Sequence, residues 1–105
     1  VNTHDAEDAH RSMGALYTQL AQMLGSQDAH HPEVITVRAD LARACAKAGQ
    51  LEDALYQADE LVKDCRRELG ETHELTLLAQ NAQDEVQTVV DAALAERNRN
   101  AADAE

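Results

Sequence analysis

Apolar residues recur along this chain every three or four positions, the spacing that gathers them on one face of an α-helix. From about Asp5 to Leu24 the stripe is Ala9, Met13, Leu16, Leu20 and Leu24, and Gly25 follows as a stop. "SQDAH" then leads to Pro32, which a helix accepts in its first turn, with His31 before it as the expected cap. A second helix over 33–48 carries Ile35, Arg38, Leu41, Ala42, Cys45 and Ala48 on one face and ends at Gly49. A third over 51–69 turns Leu51, Ala54, Leu55, Ala58, Leu61, Val62 and Cys65 inward and stops at Gly70. "ETH" bridges to a longer fourth helix over 74–97, whose apolar side is Leu75, Leu78, Ala82, Val86, Val89 and Ala93. After Arg97, "NRNAADAE" has nothing to bury, and residues 98–105 are expected to be a disordered tail. The pattern predicts one all-α domain over residues 1–97, with four helices and no strand.

The helices are not independent of one another. "AEDAHRSMGALYTQLAQMLG" (6–25) and "LEDALYQADELVKDCRRELG" (51–70) share Glu-Asp-Ala near their starts, Leu16 and Leu61 at one interior position, and a Leu-Gly close. The expected helix starts at His31 and His73 recur as well, 42 residues apart against 45 for Gly25 and Gly70. A repeat in this size range belongs to units that each leave an apolar face open for a neighbour to cover.

The middle of the chain, "LARACAKAGQLEDALYQADELVKDCRRELG", resembles a tetratricopeptide repeat. Gly49 and Leu51 form its turn, Ala42 and Ala54 fall where its two helices cross, and Ala58 and Leu61 continue its inner face. "LGSQDAHHPEVITVRADLA" and "LGETHELTLLAQNA" resemble the junctions of the longer, kinesin-light-chain-like subtype, which occurs in bacterial signalling kinases and regulators. The likeness spans roughly residues 6 to 90; Arg38 departs from it at a position usually large and apolar, Glu74 stands where Pro32 has its counterpart, and Asp84 replaces a small residue. The resemblance implies antiparallel hairpins stacked as a short right-handed solenoid. The first helix would be the second half of a repeat, the next two a complete repeat, and the last an extended closing helix. It also implies a concave surface made by the second and fourth helices. Thr36, Ala39, Asp40, Arg43 and Lys47 are expected to face outward there, beside Asn81 and Glu85. Arg43 and Lys47 form an i, i+4 basic pair that could hold a partner's carboxylate, with Asn81 gripping peptide backbone; alternatively the pair merely balances acids such as Asp40.

Composition and charge narrow the function further. The chain has 105 residues, no Phe, no Trp and two Tyr, so its modest core must come from Ala, Leu and Val in closely spaced helices. A net charge of −11 argues against nucleic acid and anionic membranes, both of which are held through clustered Lys and Arg. With no apolar run of membrane-spanning length and no signal peptide, and opening on Val1, the chain reads as a cytoplasmic segment of a longer protein. Cys45 and Cys65 would lie roughly 16 Å apart along antiparallel helices. A disulfide needs Cα atoms within about 7 Å, so both are expected to be reduced.

Chemical machinery is not evident. There is no glycine-rich phosphate loop, His-Glu-x-x-His, Cys-x-x-Cys or Gly-x-Ser-x-Gly. His30 and His31 are adjacent, His4 and His10 do not share a helix face, and His31 and His73 suit caps better than metal. Asp5, Glu7, Asp8, Glu52 and Asp53 sit at helix starts, where they complement the dipole. Met13 and Met23 read as packing rather than a promiscuous groove. The expectation is a non-enzymatic protein- or peptide-binding module without cofactor or metal, part of a regulatory or signalling protein. The alternative is a self-association segment, a homodimer or a piece docking on the rest of its parent chain. It would use apolar edges at Tyr17, Leu20, Ala21 and Leu24 and at Val90 and Leu94. A ligand-holding bundle ranks last, because the inward positions are Ala, Leu and Val rather than paired Glu and His.

Overall fold

The computed structural model describes the backbone of residues 3–103 and the side-chain surroundings of residues 7–101. The side chains of His4 and Asp5, and residues 104 and 105, lie outside the described residues. Within them the chain is four packed α-helices with no strand: α1 Thr3–Leu24, α2 Pro32–Lys47, α3 Leu51–Leu69 and α4 Glu74–Asp103. 

The helix ends follow from short-range chemistry. His31 Nδ1 accepts the Glu33 amide at 3.2 Å, and His73 Nδ1 accepts the Leu75 amide at 3.0 Å, so each imidazole satisfies one orphan donor of a first turn. At the end of α2 the Gly49 amide donates to Ala46 and the Gln50 amide to Cys45, the paired bonds of a Schellman close. That close requires the φ of +84° at Gly49, which only glycine adopts without strain. Gly70, at φ +94°, ends α3, and its carbonyl accepts the hydroxyl of the fully buried Thr76 at 2.7 Å. 

The disordered tail expected after Arg97 is corrected by the structure, since α4 continues helically to Asp103. "NRNAAD" contains neither Gly nor Pro, and once a helix is running each further turn of such residues adds hydrogen bonds at little nucleation cost.

Packing centres on α2. It lies against α1, α3 and α4, and α3 also packs on α4. Among the described residues no Cα of α1 comes within 8 Å of α3 or α4. Because three helices surround it, α2 buries nine of its 16 residues, well beyond the single face its periodicity suggests. Val34, Val37, Ala39, Ala44 and Ala46 join the expected Ile35, Leu41, Ala42 and Cys45. Its small side chains let the neighbours approach closely. One core cluster joins Leu41, Cys45, Leu51, Ala58, Val86 and Val90, with Met13, Leu16 and Leu20 of α1 packed against it. The other joins Ile35, Ala39, Leu61, Val62, Cys65 and Ala82, without α1. Cys45 and Cys65, in separate clusters, are both free thiols.

Arg38, the charged residue on the inward stripe of α2, meets Asp64 of α3 at 3.1 Å, and Arg67 reaches the same carboxylate at 2.8 Å. The guanidinium therefore lies along the α2–α3 seam with its charge answered. Partial burial pushes the Asp64 carboxyl up, but the hydrogen bonds from Arg67 and Arg38 outweigh it and leave it below its ordinary value. With a radius of gyration of 15.2 Å, against about 13 Å for a compact chain this long, the molecule is a slab of 51 × 28 × 16 Å. Its long dimension is set by α4, whose 30 residues span about 45 Å.

Two outcomes are expected. Leu61→Ala removes a fully buried side chain and should cost about 2–5 kcal/mol in urea unfolding. Asp64 has a depressed folded-state pKa, so its contribution is present above the ordinary aspartate value of about 4 and lost as pH falls through the folded value. Urea midpoints taken between pH 5 and pH 2 should therefore fall less steeply in Asp64→Asn than in the parent chain.

Candidate functional site

Apart from Arg38 at the α2–α3 seam, the exposed residues of α2 form one stripe. Glu33, Thr36, Asp40 and Lys47 are exposed, and the half-exposed Arg43 falls among them at helical spacing. The stripe borders a groove whose other wall is α1. Asp8, Ala9, Ser12 and Leu16 face Asp40, Arg43, Ala44 and Lys47 across a hollow of about 750 Å³. Leu16, Gln19 and Met23 face Pro32, Glu33, Thr36, Val37 and Asp40 across a further 360 Å³ or so. Leu16 and Asp40 line both hollows, so the two are halves of one trough along the antiparallel α1–α2 pair.

The expected site residues divide accordingly. Thr36, Asp40, Arg43 and Lys47 share the α2 rim of this trough. Ala39, expected to face outward, is instead completely buried in the α2–α3–α4 core. Its position was assigned from a helix with one open half, whereas α4 closes over that part of α2. Asn81 and Glu85 are exposed on α4, on the other side of the stripe from α1. Glu85 does meet the site, because its carboxylate accepts from Arg43 Nε at 2.5 Å while Arg43 Nη1 reaches Asp40 at 3.2 Å. Arg43 is thus a bridge between α2 and α4, and the simpler reading of the basic pair, charge balance, describes it. Lys47 has no ion-pair partner among the described residues and is the cation the face leaves uncommitted. Between α2 and α4 a hollow of about 40 Å³ is lined by Arg43, Ala46, Lys47, Glu85, Val86 and Val89.

Sequence reasoning did not find the α1 wall. Asp8, Ser12, Leu16, Gln19 and Met23 do fall on one helical face, but the resemblance assigned that helix to the back of a solenoid rather than to a binding surface. Met13 packs on the core, whereas Met23 lines the trough. The apolar edges also need revision. Val90 is buried and Leu20 packs against the core; Leu24 and Leu94 are about half exposed, and Ala21 is exposed. Tyr17, 41 % exposed, lies near Cys45 of α2 and Gln57 of α3 rather than at a free edge.

The chemistry of the site is that of a surface. Burial raises the Cys45 and Cys65 thiols, so neither is poised as a thiolate. Burial, then the neighbouring Cys45, raises the Tyr17 phenol. Among the described residues no group of three or more His, Cys, Asp or Glu could hold a metal, and no helix is long and apolar enough to cross a membrane. Comparison with protein-family models, curated proteins and solved structures finds no match to this chain in any of the three.

The different situations of the two cations give a direct test. Arg43→Glu would set three carboxylates together between α2 and α4 and should lower stability by roughly 1 kcal/mol, the scale of a partly exposed ion-pair network. Lys47→Glu should leave the urea midpoint nearly unchanged.

Proposed function

We propose that this chain is a non-enzymatic protein-interaction module that receives a partner segment in the α1–α2 trough. The observation that carries the reading is the trough itself: two antiparallel helices, each with a continuous stripe, leave a channel of several hundred Å³ that none of the described residues fills. Its walls mix small and apolar groups (Ala9, Ala44, Leu16, Met23) with polar ones spaced along one edge (Thr36, Asp40, Lys47). That mixture suits a polypeptide, whose backbone needs hydrogen-bond partners and whose side chains need shallow apolar seats.

The reading extends to the wider architecture. The hairpins are tetratricopeptide-like units of a right-handed solenoid of the kinesin-light-chain-like kind, within a larger bacterial regulatory or signalling protein acting in the cytoplasm. Support comes from the repeated Leu-Gly closes, the His caps at both junctions, and α2 packed on α3 and α4 at once. The partner is a peptide or a neighbouring domain. A second reading, self-association through apolar edges, is favoured by one observation, the half-exposed Leu24 and Leu94.

Peptides selected from a random display library against the folded chain test the proposal. Amide shift mapping should place them over Leu16, Thr36, Asp40 and Lys47, and Thr36→Trp should weaken them at least about tenfold, a change of 1.4 kcal/mol. Selected peptides that map to the α3–α4 face would show the trough to be idle.

A further inference from the structure

We infer that the occupant of the trough is a second copy of this chain, laid antiparallel across it about a two-fold axis at Leu16 and Asp40. The inference rests on the reading of the trough as a binding face and names its partner. Three observations meet here. First, α1 is under-packed: among the described residues its backbone comes within 8 Å of α2 alone, and of its described side chains only Ala9 is buried while Met13, Leu16, Leu20 and Met23 stay half-buried. A second α1 laid over the first would cover the side of Leu16 and Met23 that faces the trough.

Second, the face complements itself in charge. Its two uncommitted charges on α2 are Lys47 at one end and Glu33 at the other, 14 residues and so about 21 Å apart. Neither has an ion-pair partner among the described residues. A two-fold axis perpendicular to the helices sets each α2 antiparallel on its mate, so that Lys47 of one copy meets Glu33 of the other, twice. At the axis the two Asp40 side chains approach, and each is already answered by its own Arg43 at 3.2 Å. Asp8, beside Lys47, is partnered by Arg11 at 3.9 Å.

Third, the lining permits close approach. Ala9, Ser12, Ala44 and Thr36 are small and are spread over both halves of the trough. The self-complementary arrangement closes on itself, as two-fold interfaces do, rather than propagating into a filament. Two helices over about 21 Å make a small face, at the low end of specific interfaces, so the dimer should be concentration-dependent.

Sedimentation of the full chain over a wide concentration range tests this, with circular dichroism to establish that each variant folds. The parent should pass reversibly from monomer to dimer. Lys47→Glu and Glu33→Lys should each weaken the dimer about tenfold or more, because each places like charges together twice. The double variant Lys47→Glu/Glu33→Lys, which restores both pairs, should dimerise nearly as well as the parent. Ser12→Arg, on the opposite wall, should block dimerisation without changing the fold. A parent chain that stays monomeric overturns the proposal. So does a dimer indifferent to all these changes, or a double variant weaker than both single ones. Peptides that still map to the trough of a monomeric chain would leave the binding-module reading standing and remove only the dimer.

Discussion

The structure depends on one helix having three neighbours. α2 lies against α1, α3 and α4, and no other contact joins α1 to the rest at backbone distance among the described residues. A helix wrapped on three sides must be thin over most of its circumference, and α2 is: Ala39, Ala42, Ala44, Cys45 and Ala46 are all buried. Small side chains forgo area but permit close approach, and the stabilisation then comes from many short contacts rather than a few large ones. This is how a chain without Phe or Trp builds a core. The larger buried residues Ile35, Leu41, Leu61 and Val62 belong to α2 and α3, and α4 adds Val86.

The same constraint decides what remains for function. Three neighbours leave α2 one broadly exposed strip, and that strip is polar because it faces water. Arg43 leans from it onto Glu85 and ties the α4 side shut to a hollow of about 40 Å³. Among the described residues no ion pair crosses from α2 to α1, and the α1 side stands open as the trough. The open trough is therefore a by-product of unequal packing, with one flank of the central helix closed by a long-range ion pair and the other left uncovered.

The charged and thiol groups fit a passive surface. Arg38, an awkward residue on an apolar stripe, is reconciled by Asp64 at the α2–α3 seam, a carboxylate it shares with Arg67. Asp40 and Arg43 neutralise each other beside the trough. Cys45 and Cys65 are enclosed and raised, so burial that stabilises the core also keeps the thiols unreactive.

The division between what sequence fixes and what packing decides is clear at particular residues. Four helices were legible from three-and-four spacing, and the caps at His31 and His73 too, because a cap acts within two residues along the chain. The inner face of α3 was legible for a related reason: its neighbours lie on one side, so one stripe records them. The tail of α4 was misjudged because burial was taken as the condition for helix, whereas propagation from an existing helix suffices. Ala39 and the α1 wall were not legible at all; Glu85 and Asp40 were expected near Arg43, but not that Arg43 would bridge them both. Periodicity reports that a helix has an apolar face; it does not report how many helices will press on it, or which residue 42 positions away will meet a guanidinium. Those facts arise only when distant segments are brought together, and in this protein they determine which part of α2 is left uncovered.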